Sequence, residues 1–405
     1  MTRTPSTLTA LVRAGFSQLS VAQSGLAEGG WEPDVFAPSA HPDASLAAVL
    51  SLRFAHPVEW AKIQRSATAT KRLVLLTGVS TGLTDFLLRR PEQWSLLSKD
   101  LRTLPQAAGW TDTFRDATSG CDTAAAVEAL RVAYRRGLCQ VALFDAQSSQ
   151  PLQVLPLVAA CLADMAGAAL EVALEIARRD HGLEASAVPL TIMGMGKAGA
   201  RELNYLSDVD VIYVTDTPAG ADAEKVLQGA TILARDTARH LMEFGKEPGL
   251  WEVDANLRPE GKDGALVRTL DSHLAYYGRW ASDWEFQALL KARPLAGDPD
   301  IGARYLQAMR PLVFSASTRP GFVEQVQRMR ERVTNNIPPD QLQHQLKLGP
   351  GGLRDIEFTI QLLQLVHGAA DESIRQRDSL GALHALSEAG YVGRSEAAEF
   401  DHAYR

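Results

Sequence analysis

The sequence predicts an α+β fold, a small sheet with flanking helices, preceded and followed by helical bundles. Three observations carry that reading. From about residue 45 to 180, and again from Asp271 onward, apolar residues recur at three- and four-residue spacing, as in Leu75, Leu76, Val79 and in Leu157, Val158, Cys161, Leu162. Between these stretches, short apolar runs bounded by glycine, proline and asparagine read as strands. The chain of 405 residues, 46% apolar and 22% charged, is too long for one compact core and has the composition of an ordinary globular protein.

Taken in order, residues 1 to about 45 give a short amphipathic helix and then GGWEPDVFAPSAHPD, where glycines and prolines punctuate. The helical stretch up to about residue 180 completes an N-terminal region, residues 1–180. Val188 to Gly194 is a short strand with a proline at its start, where a missing N–H is tolerated. Lys197 to Tyr205 has room only for a short helix, and Asp208 to Val214 is a second strand. Ala221 to Phe244 reads as a long helix with an apolar face of Val226, Ile232, Leu233, His240, Leu241 and Phe244. Leu250 to Leu257 and Ala265 to Leu270 read as two strands joined by PEGKDG, whose Asp263-Gly264 is a turn signal. From Asp271 the pattern is helical to the end, broken at Asn336-Ile-Pro-Pro339 and Gly349-Pro-Gly-Gly352. The expected regions are therefore 1–180, 181–300 for the sheet, and 301–405, the last stopping uncapped in a helical pattern, as a cut chain would.

The net charge of −7 offers no bulk attraction to nucleic acid. Cys121, Cys139 and Cys161 are scattered and lack metal-ligand spacing, which fits a reducing cytoplasm. Arg13 interrupts the N-terminal apolar run, so no secretory signal is read. The longest apolar run, Val154 to Ala163, contains Pro156 and stops at Asp164, so no membrane span is expected.

Chemistry concentrates in MGMGKAGARELNYLSDVDVIYVTD. Gly194, Gly196 and Gly199 match the G-x-G-x-x-G of a dinucleotide turn, with Asp216 near the place of the ribose-binding acid. The same segment carries Asp208 and Asp210, which share one face of a strand while Val209 and Val211 take the other. Two like charges so placed call for a cation, Mg²⁺ above all, although a solvated strand end is the plainer reading. Asp254 can join them from the next strand. With Lys197 in the glycine turn and Arg258 behind, the set suits phosphoryl or nucleotidyl transfer, which needs metal and cationic clamps on phosphate. A P-loop is excluded: the spacer before Gly196-Lys197 is too short, and Ala198 stands where a magnesium-binding hydroxyl belongs.

Four blocks, GMGKAGARELNYLSDVDVIYV, VDANLRPEGKDGALVRTL, DWEFQALLKARPLAGD and LKLGPGGLRDIEFTIQLLQL, resemble in that order the bifunctional glutamine synthetase adenylyltransferase/adenylyl-removing enzymes. The resemblance covers about 190 residues. It implies a nucleotidyltransferase-type small mixed sheet and one of two homologous halves acting on glutamine synthetase. The N-terminal half of that family removes AMP from a tyrosine by phosphorolysis, giving ADP; the C-terminal half attaches AMP from ATP. The PII signal protein and glutamine are the effectors. Lys347-Leu-Gly-Pro-Gly-Gly352 looks like the removing half. By the resemblance, Asp208, Asp210 and Asp254 are catalytic metal ligands. Gly194, Gly196, Lys197, Arg258, Lys347 and Arg354 are expected to bind nucleotide or phosphate. Asn256 departs from the family's arginine at that place. Glu285, Lys291 and Arg293 lie in the third block, read as helical, where the cations reach phosphate or fix the helix. Asp355 and Glu357 read as first-turn acids favoured by the helix dipole. The same fold running in the attaching direction, or a docking module without chemistry, are the alternatives.

Overall fold

In the computed structural model, which describes residues 7–338 and 340–405, the chain divides into two compact units. The first comprises residues 7–105 with Val132–Val158 and is helical. Its core gathers Phe36, Leu73, Leu76, Phe86, Leu87 and Trp94. Serines set the helix boundaries there: Ser66 accepts from the Ala69 N–H and Ser80 from the Leu83 N–H, capping Ala67–Val79 and Thr81–Arg89. Val79 and Leu157, expected on apolar faces, are exposed, whereas Leu75, Leu76 and Val158 are buried.

The second unit, Gln106–Arg131 with Ala159–Arg405, contains the sheet. Five strands form it: β1 Leu190–Gly194, β2 Val209–Thr215, β3 Val253–Asp254, β4 Val267–Thr269 and β5 Arg293–Gly297. The path runs β3-β2-β1-β5, with β4 also on β2. β1 is antiparallel to both β2 and β5, while β3 and β4 each run parallel to β2, so the sheet is mixed. The antiparallel β1–β2 pair excludes a dinucleotide-binding βαβ unit, which requires parallel strands. Asp216, the tempting ribose ligand, instead pairs with Arg304 at 2.7 Å.

Several expectations need correction. The third block is not helical throughout: the helix Asp283–Leu289 ends early, and Arg293 begins β5, an edge strand that tolerates Pro294. A bulge between Ile192 and Met193 marks its pairing with β1. The strands expected over Leu250–Leu257 and Ala265–Leu270 shrink to two and three residues. They lie one after the other along β2 in one direction, so the PEGKDG loop steps along the sheet edge and does not reverse the chain. The long helix is Ala223–Met242; Val226, Leu233, His240 and Leu241 are buried, but Ile232 is partly exposed and Phe244 lies beyond the helix in solvent. The chain break at Asn336-Ile-Pro is present, and Pro339 lies outside the described residues. The helix Pro151–His181 runs through Pro156 and Asp164, giving one helix long and apolar enough to cross a membrane; 78% of its apolar window is buried inside the protein, as in a core helix. Its part in the second unit docks on β5: the Gly297 N–H donates to Glu171 at 2.6 Å.

Below the sheet, Met193, Ile212 and Val214 pack with Tyr277, Ile301 and Tyr305. His273, on the helix Leu270–Arg279, sits in this layer, stacked on Tyr277 and edge-on to Tyr305. Burial, with repulsion from Arg268, lowers its pKa from 6.5 to about 4. Above pH 6.5 the ring is neutral folded or unfolded; as pH falls toward 4 only the unfolded chain takes the proton, so stability drops. Urea unfolding at pH 7 and pH 5 should therefore show an acid loss that is smaller by about 2 kcal/mol in His273→Phe than in the parent.

Candidate active site

Strand register builds the acidic side of the site. β2 places Asp210 beside Asp254 of β3 as direct parallel partners, and Asp208 stands two residues before Asp210, on the same face. One carboxylate oxygen from each of the three lies within 4.8 Å of the others. Asp208 is exposed; Asp210 and Asp254 are half-buried. Burial, and then the charges of Asp208 and Asp254, push the Asp210 carboxyl up to about 6, against the pull of Lys347 and Arg354. The donor set is all hard oxygen and its carboxylates repel one another, which fits a divalent cation of the Mg²⁺ type.

The glycine turn after β1 closes over this group. Gly196 has φ +48°, and a Cβ there would lie 2.4 Å from the Asp210 Oδ2, so only glycine lets the turn pass the carboxylate. The Met195 N–H donates to the Asp210 carbonyl at 2.8 Å, fixing that approach. Gly194 and Gly199 serve packing: a Cβ on Gly194 would strike the Leu295 side chain, and one on Gly199 the Lys291 carbonyl. Gly194 is buried in β1 and does not line the cleft described next.

A cleft of about 360 Å³ opens between the acids and the helix Leu353–His367. Gly196, Lys197, Asp208 and Asp210 line one side; Lys347, Arg354 and Glu357 line the other. Trp284, Leu353 and Phe358 give it apolar walls. Burial lowers the Lys197 pKa, and Lys347 and Arg354 add to that repulsion while Glu357 and Asp208 oppose it. Three cations thus gather close enough to disfavour one another, in a cleft also lined by the carboxylates of Asp208, Asp210 and Glu357. Arg258, expected at phosphate, is not among the lining residues: it donates to the carbonyls of Ala255 at 2.8 Å, Lys262 at 2.9 Å and Gly264 at 3.1 Å, pinning the loop between β3 and β4. Arg293 likewise donates to the carbonyls of Ala198 and Gly199, fixing the glycine turn to β5.

Two supports had no sequence signal strong enough to find. Buried Lys291 donates to Glu202 at 2.9 Å, Ser379 at 3.2 Å and Glu357 at 3.5 Å, and the Tyr404 hydroxyl donates to Glu357 at 3.0 Å. Burial works against the Lys291 charge, yet Glu202 and Glu357 hold its pKa above the ordinary value. Glu357 is therefore no simple helix-dipole acid. Arg330 donates to the carbonyls of Leu348 and Gly349 and to Asp355, which also accepts the Gly351 N–H at 2.6 Å, so the glycine loop bearing Lys347 is held at both ends. Glu285 completes a capping box with Ser282 and accepts from Tyr276, a structural place away from the cleft. Glu202, Ser379 and Tyr404 lie far apart in the sequence, and their meeting is a product of the tertiary fold.

A family model described as glutamate-ammonia ligase adenylyltransferase matches residues 70–308, and one described as GlnD PII-uridylyltransferase matches residues 322–405. The bifunctional glutamine synthetase adenylyltransferase/adenylyl-removing enzyme of Leifsonia xyli subsp. xyli is 50% identical over 430 residues, covering 100% of this chain and 43% of that protein. Its counterpart in Streptomyces coelicolor is 45% identical over 421 residues, with 100% and 41% covered. That of Mycolicibacterium smegmatis is 44% identical over 394 residues, with 93% and 39% covered. The chain spans about two fifths of the length of these relatives. Since the first family match takes in more than half of its residues, the chain belongs to the glutamate-ammonia ligase adenylyltransferase family.

Proposed function

We propose that this chain is the adenylyl-removing half of a bifunctional regulator of glutamine synthetase, a cytoplasmic enzyme of nitrogen metabolism that cleaves AMP from a tyrosine of that protein with phosphate. One observation carries the reading: Lys347 and Arg354 face Asp208 and Asp210 across a single cleft, with Lys197 beside those acids and Asp254 clustered with them. A docking module has no use for that opposition of charge. In the proposed reaction a phosphate oxygen attacks the phosphorus of the AMP group, the P–O bond to the tyrosine breaks, the phenolate takes up a proton, and ADP leaves. Asp208, Asp210 and Asp254 would hold Mg²⁺, which when bound neutralises phosphate charge and polarises the P–O bonds. Lys197, Lys347 and Arg354 bind and orient the phosphate groups, positioned by the buried Lys291 network and the Arg330 clamp. The removing direction is supported by the KLGPGG block, and glutamine and the PII signal protein are the proposed effectors. Residues 181–300 supply the acidic half of the proposed catalytic region, between helical regions 1–180 and 301–405.

Incubation with adenylylated glutamine synthetase, phosphate and Mg²⁺ should release ADP. Label passing from ATP to unmodified synthetase without phosphate would instead assign the attaching direction, and neither product from folded protein would overturn both. Asp208→Asn with Asp210→Asn should abolish turnover; it should also raise the thermal midpoint in chelator, because it removes repulsion, and cancel the Mg²⁺-dependent stabilisation seen in the parent. Gly196→Ala forces a Cβ against Asp210 and should cut kcat by about 100-fold or more, with a stability loss of only about 1 kcal/mol. Arg258→Ala and Arg354→Ala should separate: the first loosens the loop and lowers thermal stability, the second raises the KM for phosphate with the melting point kept.

A further inference from the structure

A second cavity, of about 380 Å³, lies at the other end of the Gly196–Ala200 turn, against β5 and the helix Pro299–Ser315. Arg201, Arg293, Arg310, Arg375 and Arg377 all line it. Leu306, Met309 and Val313 give it an apolar side. Three of the arginines are held by the protein. Arg201 pairs with Asp164 at 2.5 Å, and Arg293 lies 3.8 Å from the same carboxylate. Arg375 pairs with Glu372 at 2.5 Å. Asp378, which also faces the cavity, accepts the Gly381 N–H at 2.6 Å as a helix cap. Five guanidiniums against Asp164, Glu372 and Asp378 leave two positive charges without a counter-charge.

Those two are Arg310 and Arg377. Among the described residues Arg377 makes one hydrogen bond, from its Nε to the Ala292 carbonyl at 3.0 Å, which uses one of its five donors. Arg310 donates to no described residue. Both side chains reach solvent; partial burial of Arg377, and then the charge of Arg310, hold Arg377 below the ordinary arginine value. A cavity of ligand size with an apolar side and two guanidiniums whose Nη donors are unengaged among the described residues, able to match carboxylate and phosphate bidentately, has the elements of a small-molecule site.

We propose that this cavity binds a small organic anion with two negative groups, its charges on Arg310 and Arg377 and its body against Leu306, Met309 and Val313. The site is separate from the acidic cleft and independent of the reaction proposed for it. Carboxylate and phosphate share the recognition chemistry, and two probes distinguish them: citrate and pyrophosphate, titrated calorimetrically into the whole chain at low salt. Saturable binding of at least one is expected, weakened about tenfold or more by Arg310→Ala and by Arg377→Gln and unchanged by Lys347→Ala, which alters only the acidic cleft. In anion-free buffer Arg310→Ala should melt at the parent's temperature or higher, because it relieves repulsion; a merely structural arginine would lower it. No saturable binding of either probe, or binding that survives Arg310→Ala and Arg377→Gln but falls with Lys347→Ala, overturns the proposal.

Discussion

Three carboxylates within 4.8 Å of one another, two of them half-buried, are the constraint around which the sheet-bearing unit is arranged. Such a group opposes folding unless the backbone around it is fixed by interactions that do not depend on it. β2 provides that: except for Asp210, its side chains are buried, and both its edges are paired, to β1 on one side and to β3 and β4 on the other. The strand that presents Asp210 is thus held on both edges, and the repulsion is contained. The Gly196 turn adds a backbone that only glycine can supply at that distance.

The opposing cations are held by a different device. Lys347 lies in a glycine loop, which has little intrinsic order, and the loop is fixed by Arg330 and Asp355 through carbonyl and N–H contacts at several points. Below it, Lys291, Glu202, Glu357, Ser379 and Tyr404 form a network in which each charge has a partner; removing one member would leave a buried charge uncompensated. Arginines and lysines that sequence inspection assigns to phosphate are therefore of two kinds. Arg258, Lys291 and Arg293 face carbonyls or carboxylates of their own chain. Lys197, Lys347 and Arg354 face the cleft.

This division marks what was legible in the sequence. The Asp208 and Asp210 pair could be read because period-two geometry puts alternate strand residues on one face, and an apolar strand has no structural reason for two acids. Asp254 was legible as a third acid on a neighbouring strand, although not as the register partner of Asp210. β5 was not legible: its residues follow a helix without a strong break, and an edge strand containing Pro294 has little alternation to show. Arg330 and Glu202 were invisible for another reason. Their roles lie in contacts across long sequence separations, and a solvated helical arginine has the same local pattern as one that clamps a loop.

The cleft also explains why the two family matches belong to one working unit. The acids and the glycine turn fall within residues 70–308, whereas Lys347, Arg354, Glu357 and Tyr404 fall within residues 322–405. The three clustered acids lie in the first segment, and Lys347 and Arg354, which face them, lie in the second. The buried bonds from Lys291 to Glu357 and Ser379 cross between the segments, so the charged walls face each other only when the two are packed together. The acidic strand gains Lys347 and Arg354 as counter-charges from the segment after residue 322, and that segment gains in Lys291 the cation that makes burying Glu357 tolerable. Folding of the two segments and assembly of the cleft are, on this account, one event.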